Sequence, residues 1–155
     1  MDERDILIQM YREDCKFARH HEVLRATVAN IIIAVTAGIL GLVAFDQKLD
    51  LNDLPITIFL TFLGIFGGIF SSKHYERVRL HLNRAKQYLY KLEEIMPDIK
   101  LSELRERGNS ANKSNFPRLF NLRLNKFWFA LHLLISLLGF TMSAIIIFIA
   151  LSKIR

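Results

Sequence analysis

The chain has 155 residues, of which 52% are hydrophobic and 23% are charged, and it carries a formal net charge of +6. Its mean hydropathy of +0.24 is high for a soluble domain with that share of charges, so apolar and charged residues must be segregated along the chain. The single cysteine, Cys15, excludes an intramolecular disulfide, and the basic charge comes without a nucleic-acid-binding motif, so we do not expect nucleic acid as a partner.

Three segments contain no Asp, Glu, Lys or Arg: residues 27–45, 54–72 and 127–152. A helix that crosses the roughly 30 Å hydrocarbon core of a bilayer needs about 20 apolar residues, and each segment is long enough. Buried helices of a soluble domain are the alternative, but the remaining polar chain is too short to cover three of them. The sequence therefore predicts an all-α membrane protein with three transmembrane helices.

The N-terminal segment, residues 1–26, is predicted to be a cytoplasmic helix that continues into the first span. Its apolar residues recur at steps of three and four, interrupted by Asp14 and His21. The first residues are acidic and polar, unlike the basic and then apolar start of a signal peptide, so we expect no cleavage.

Residues 27–72 are predicted to form a long antiparallel transmembrane hairpin. The connection DQKLDLND (46–53) is short and polar, and Pro55 suits the first turn of the second helix. This helix is expected to leave the membrane and to continue to Met96, where Pro97 stops it. At 1.5 Å per residue it would be about 60 Å long, so roughly half of it would extend into the cytoplasm.

The two cytoplasmic helix segments are predicted to pack together as a helical stalk. The apolar residues of the second segment alternate steps of three and four, which is the pattern of a coiled-coil seam and argues against a helix that lies alone in solvent. The predicted stalk seam consists of Met10, Phe17, Leu24, Tyr75, Val78, Leu82, Ala85, Leu89 and Leu92.

Residues 73–126 complete the cytoplasmic part, and residues 127–155 form the third transmembrane helix and the tail. The segment RERGNSANKSN (105–115) has only Ala111 as an apolar residue and is predicted to be a flexible linker. The segment FPRLFNLRLNKFW that follows mixes aromatic and basic residues, so we expect an amphipathic lead-in at the membrane interface.

The distribution of Lys and Arg predicts the orientation in the membrane. These residues number five in 1–26, one in 46–53, thirteen in 73–126 and two in the tail. The N-terminus and the middle segment are therefore expected in the cytoplasm, and the short loop outside. The tail also lies outside if the third helix crosses fully, whereas a re-entrant third helix would return it to the cytoplasm.

Each span carries one stripe of small or weakly polar residues, and in lipid such residues let helix backbones approach closely. The stripes can serve packing within one protomer, or they can face other copies around a pathway, and both interpretations are open. They contain no carboxylate or guanidinium, so such a pathway would discriminate little between ions. The predicted stripe residues are Thr27, Asn30, Ala34, Gly38 and Gly41 in the first span, Thr57, Thr61, Gly64, Gly68 and Ser71 in the second, and His132, Ser136, Gly139 and Ser143 in the third.

The histidines are the candidates for metal binding or acid–base chemistry. His74 and His81 are two helical turns apart, which is too far to chelate one ion from a single helix, although His20 or His21 could approach His74 across the predicted hairpin. No suitable carboxylate cluster accompanies them, so we expect neither a metal nor another cofactor. The sequence has no nucleophile motif and no phosphate-binding glycine loop, so we do not expect an enzyme.

The arrangement from Tyr11 to Met96 resembles the SLATT family of small bacterial membrane proteins. The resemblance is carried by ARHHEVLRATVANI before a hairpin of two spans and by ERVRLHLNRAKQYLYKL after it, in which His81, Ala85, Tyr88 and Leu92 match the family pattern. The additional span at 127–152 departs from that pattern. The resemblance implies the bacterial inner membrane and an effector of bacterial conflict systems, coupled to a sensor, that impairs the membrane of an infected cell.

We therefore expect an oligomeric, pore-forming membrane effector of an anti-phage system, triggered through its cytoplasmic helices. Membrane lipid, other copies of the chain and a cytoplasmic protein or signal are the expected partners. Two alternatives remain open: a non-conducting membrane anchor or adaptor that recruits a soluble partner, and a regulatory subunit of a larger membrane complex.

Overall fold

The computed structural model describes residues 2–45 and 48–153, and every regular element within them is helical. Helix α1 spans Glu3–Phe45, a short 3₁₀ turn spans Leu51–Asp53, and α2 spans Leu54–Ile95. Helix α3 spans Leu101–Asn115 and α4 spans Leu124–Ser152. The prediction of an all-helical chain is confirmed.

Three helical segments are long and apolar enough to cross a membrane. They are Glu3–Phe45, Leu51–Ile95 and Leu124–Ser152, with mean hydropathies of 2.4, 2.0 and 2.6 over their most apolar stretches. In each of these stretches, a third or less of the residues is buried within the protein, as expected where lipid is the surrounding solvent. The number of candidate spans agrees with the prediction, and the chain is a multi-pass membrane protein.

The start of α2 is fixed by local polar contacts. The Asn52 amide donates to the Asp50 carboxylate at 2.7 Å, and the Asp50 amide donates to the Asp53 carboxylate at 3.1 Å, which together form a capping box. Pro55 occupies the first turn of α2, where its missing N–H leaves no helical bond unmade. At the other end α2 stops two residues before Pro97, as expected.

The chain divides into two compact units. The first contains the described residues of Met1–Val23 and His74–Leu124. Its interior lies between the start of α1 and the second half of α2, where Ala18, Val78, Ala85 and Leu92 are buried. The second contains the described residues of Leu24–Lys73 and Asn125–Arg155.

The prediction of a flexible linker at 105–115 is wrong, because these residues belong to α3. None of the α3 residues is buried, so the helix is held by local contacts that an apolar pattern does not reveal. Arg107 donates to the Glu103 carboxylate at 2.7 Å one turn away, and the Ser102 amide in the first turn donates to the carboxylate of Glu93. The predicted lead-in forms turns over 117–121, and α4 begins at Leu124.

The second unit has a narrow apolar core to which α1, α2 and α4 all contribute. It consists of Ile32, Ile39 and Val43 from α1, Leu60 from α2 and Ile135 from α4. Large apolar side chains cover the outside of the same helices, including Phe59, Phe62 and Phe66, which are 52–64% exposed. Apolar surface on this scale is unfavourable in water and natural in lipid.

Candidate functional site

The contact between α2 and α4 is made by glycines that bring the two backbones together. A Cβ atom added to Gly64 would lie 2.7 Å from both the His132 carbonyl oxygen and the Ser136 Cα, and one added to Gly139 would lie 2.7 Å from the Thr57 carbonyl oxygen. Since real Cβ atoms do not approach so closely, only glycine fits at either position. The contacts run in opposite sequence order along the two helices, and all of these contacting residues belong to the second unit.

Two hydroxyl groups join α2 and α4 inside this contact. The Ser143 hydroxyl donates to Thr57 Oγ1 at 2.8 Å, and the Thr57 hydroxyl donates to the Leu54 carbonyl at 3.1 Å. Thr57 is fully buried and Ser143 is 8% exposed. An unsatisfied hydroxyl is unfavourable in hydrocarbon, so the pair adds specificity to a contact that is otherwise made by van der Waals packing.

His132 fills the space beside a third glycine, Gly67. A Cβ atom on Gly67 would lie 2.7 Å from His132 Cε1, and the histidine is only 1% exposed. Its Nδ1 is buried and has no hydrogen-bond partner in the described part of the chain. Gly67 was not among the predicted stripe residues, although its position beside Gly68 is a sequence signal that could have identified it.

The predicted stripes of the second and third spans therefore lie within the protomer. Thr57, Gly64, Gly68 and Ser71 are buried, Thr61 is half-buried, and on α4 His132, Gly139 and Ser143 are buried with Ser136 half-buried. The glycines and hydroxyls described above place most of them against one another. These two faces are contact surface between α2 and α4.

The predicted stripe of the first span has a different environment. Thr27, Asn30, Ala34, Gly38 and Gly41 are all exposed. A Cβ atom added to Gly38 or Gly41 would meet nothing within 4 Å. The core residues of α1 lie on the opposite side of the helix, since Ile32, Ile39 and Val43 are offset from the stripe by about half a turn. This α1 face, defined by its five small or polar residues, is uncovered in the protomer.

The predicted stalk seam is buried in part along α2, and none of its three α1 residues is buried. Val78, Ala85 and Leu92, which are seven residues apart, are 3–5% exposed, and Tyr75 and Leu89 are half-buried. Met10, Phe17 and Leu82 are exposed by 40–52%. Leu24 is half-buried and belongs to the second unit. Ala18 and Asp14 are buried on α1 instead, at 4% and 8% exposure.

Asp14 and His21, the two polar residues that interrupt the α1 seam, are part of the contact in the first unit. The His81 Nδ1–H donates to the Asp14 carboxylate at 2.6 Å, and these side chains are 14% and 11% exposed. His21 Nδ1 lies 3.1 Å from His74 Nδ1. The sequence contains a signal for this arrangement, because each helix carries its pair seven residues apart, at 14 and 21 and at 74 and 81.

Aromatic stacking connects the two polar pairs. The ring centroids of His21 and His81 are 5.5 Å apart with planes 20° from parallel, and Phe17 stacks on His81 at 5.3 Å. His21 also meets His74 at 5.1 Å with tilted rings. We call Asp14, His21, His74 and His81 the histidine cluster. The predicted approach of His21 to His74 is present in the structure.

Burial lowers the pKa of His21 below its ordinary value, and the nearby His74, His81, His20 and Arg77 lower that pKa further. His21 lies outside the uncharged segment 27–45 and belongs to the first unit. Both causes favour the neutral ring, because a buried cation loses hydration and meets other cationic groups. The position of His21 therefore disfavours an added proton on its ring.

The histidine cluster does not form a metal centre. Among residues 2–45 and 48–153, no group of three or more His, Cys, Asp or Glu side chains is placed to hold a metal ion.

Comparisons with protein-family models, curated proteins and solved structures return no match. The resemblance to the SLATT family thus rests on the sequence segments quoted above.

Proposed function

We propose that this protein is an oligomeric, membrane-disrupting effector that assembles through the uncovered α1 face. The exposure of this face is the observation that carries the proposal. The small-residue faces of α2 and α4 cover each other within the protomer, whereas Ala34 is exposed and a Cβ atom added to Gly38 or Gly41 would meet nothing within 4 Å. In lipid, small residues favour close helix contact, and a second copy of α1 supplies the matching surface.

Asn30 supports contact between copies on this face. Its side chain is exposed and lies four residues into the uncharged segment. Amide side chains in membranes are favoured at helix contacts, where an amide on a neighbouring helix satisfies their hydrogen bonds. Copies of α1 around a common axis would surround a pathway bordered by small and weakly polar groups, through which ions would leak with little selectivity.

The proposed trigger acts on the cytoplasmic helices. Helices α1 and α2 each run without interruption from the first unit into the second. The pairs Asp14–His81 and His21–His74 support the proposal that these helices form an antiparallel hairpin, because residue numbers rise along one helix as they fall along the other. A cytoplasmic partner that moves the first unit would change how α1 meets its neighbours.

The proposed location is the bacterial inner membrane, with the N-terminus in the cytoplasm. The excess of Lys and Arg in residues 1–26 and 73–126 over the loop 46–53 supports this orientation. The role in an anti-phage or other conflict system is supported by the resemblance to the SLATT family alone.

The test compares two alanine-to-isoleucine substitutions on α1. Ala34→Ile places a large side chain on the uncovered face, whereas Ala44→Ile makes the same change at an exposed position off this face. We expect Ala34→Ile to insert normally, to reduce the mass of the detergent-solubilised particle to that of a monomer, and to abolish depolarisation measured with a membrane-potential dye. Ala44→Ile should behave as the wild type. A monomeric wild type, or full polarisation with and without the products of neighbouring genes, would overturn the proposal.

A membrane adaptor is the second candidate function. The first unit carries a hollow of about 160 Å³ between α2 and α3, lined by Lys86, Tyr90, Arg105 and Glu106 among others, which is suited to a polar group of a soluble partner. An adaptor would keep recruiting its partner in the Ala34→Ile variant, whereas the effector would lose its activity. Co-purification of the partner with both variants separates the two functions.

A further inference from the structure

The histidine cluster contains a hydrogen bond whose existence depends on protonation. His21 Nδ1 and His74 Nδ1 are 3.1 Å apart, so one nitrogen donates a proton and the other accepts it. The accepting ring must be neutral. When both rings are protonated, both nitrogens are donors, the hydrogen bond is lost, and two cations face each other at this distance.

We propose that the His21–His74 contact is a proton-responsive latch, which holds α1 against α2 in the first unit at neutral pH and opens on acidification. The proposal adds a chemical signal, the proton, to the partner or signal already proposed. It concerns the contact itself and holds whether or not the protein conducts ions.

The groups around the latch favour opening over compensation. On α1 the neighbouring titratable group is His20, whose ring centroid is 6.0 Å from that of His21, and on α2 they are His81 and Arg77. All of these are or can become cations. The Asp14 carboxylate, which contacts the cluster, is already bonded to His81 at 2.6 Å. Glu22, Lys73 and Glu76, which are adjacent in sequence, have interactions of their own.

Asp14 and His81, the other pair of the histidine cluster, are not part of the latch. Because a carboxylate oxygen accepts, the His81 Nδ1 that meets it carries a proton, so this hydrogen bond has a defined direction. The His21 ring stacks on the His81 ring. A proton added to His21 would therefore place a positive charge next to the His81 ring, which donates the hydrogen bond to Asp14. The response is therefore expected at the contact between His21 and His74.

The latch is adjacent along the chain to both predicted spans of the hairpin. His21 precedes the uncharged segment 27–45 by six residues, and His74 follows the segment 54–72 by two. A helix transmits a change along its axis because its backbone bonds are continuous. Opening the latch would release α1 and α2 at the point where each enters its apolar segment.

The experiment measures amide hydrogen exchange of the full chain in lipid nanodiscs at about pH 7.5 and about pH 5.5, corrected for intrinsic exchange. Peptides covering 17–23 and 74–80 report on the latch. We expect their protection to fall at least about threefold on acidification in the wild type. His74→Gln should abolish this difference, because glutamine does not titrate. His20→Gln removes a neighbouring ring but not the hydrogen bond, so it should reduce the difference without abolishing it.

A second variant imposes the charge without changing the pH. His74→Lys places a permanent cation opposite His21, and we expect it to show at neutral pH the low protection that the wild type shows in acid. The inference is overturned if the wild type is equally protected at both pH values, or if His74→Gln responds to pH as the wild type does. Particle mass and membrane potential are recorded separately, so failure of the assembly proposal leaves this result interpretable.

Discussion

Gly139 of α4 lies directly against Thr61 of α2, so that a Cβ atom at position 139 would stand 2.5 Å from the Thr61 backbone nitrogen. The obstacle is backbone, which cannot move aside as a flexible side chain can. Any side chain at position 139 would therefore push α2 and α4 further apart, and the same is true of a side chain at position 64.

We expect Gly139→Ala and Gly64→Ala each to destabilise the folded protein by about 1–3 kcal/mol, the usual range for overpacking. Gly108→Ala is the control, because its Cβ would meet nothing within 4 Å and alanine is the better helix former by up to about 1 kcal/mol. Unfolding in mixed micelles with increasing SDS measures all three. Equal stabilities for the three variants would mean that α2 and α4 do not touch here.

The hydroxyl pair within the same contact should make a smaller contribution. Ser143→Ala removes the donor to Thr57 Oγ1 in a buried setting, and we expect a loss of about 0.5–1.5 kcal/mol, as found for hydrogen bonds between membrane helices. Thr141→Ala is the control, since that exposed hydroxyl bonds only to the Leu138 carbonyl of its own helix. A double-mutant cycle with Thr57→Val isolates the coupling, and zero coupling would contradict the pairing.

Asp14 should stabilise the first unit through His81. The carboxylate is 11% exposed and its hydrogen bond is 2.6 Å long, so Asp14→Ala leaves a buried N–H without its acceptor at a cost of about 1–3 kcal/mol. Glu13→Ala removes a neighbouring carboxylate that is exposed and bonded only to Gln9, and it should have little effect. Limited proteolysis of the first unit in reconstituted protein measures both. Equal cleavage rates for the two variants would show that Asp14 is solvated.

The lowered pKa of His21 predicts the direction of pH dependence in the first unit. As the pH falls, the unfolded chain binds a proton at the ordinary value of about 6.5, while the folded chain binds it only at lower pH. The contribution to stability is therefore fully present above that pH and declines below it. An NMR titration of the His21 ring should give a midpoint below the ordinary value, and His74→Gln should raise it. A midpoint at or above the ordinary value would contradict the structure.

The main helices could be predicted from the sequence because their signals are local. Uncharged segments of membrane length and the prolines at 55 and 97 place α1 and α2 within one or two residues of their observed ends. Helix α3 could not be predicted in this way, because ion pairs such as Glu103–Arg107 hold it without an apolar stripe.

The sequence also revealed three small-residue faces but not which of them meet. Gly38 and Gly64 are similar in the sequence. A Cβ atom on Gly38 would meet nothing within 4 Å, whereas one on Gly64 would meet the backbone of α4, and this difference depends on how the three helices pack. In the sequence, Asp14 and His21 are only polar interruptions of an apolar seam. Their contacts are not visible there, because the residues that they meet lie 67 and 53 positions away. Only the matching seven-residue spacing on the two helices hints at the pairing.

Because the α1 face is open, the behaviour of the protein depends on its concentration in the membrane. A contact between copies forms according to the number of molecules per unit of bilayer area, so a sparse population would remain dispersed and a dense one would associate. Under the proposed function, a cell could carry a low level of the protein harmlessly, and a modest rise in synthesis or a local gathering of copies would have a disproportionate effect.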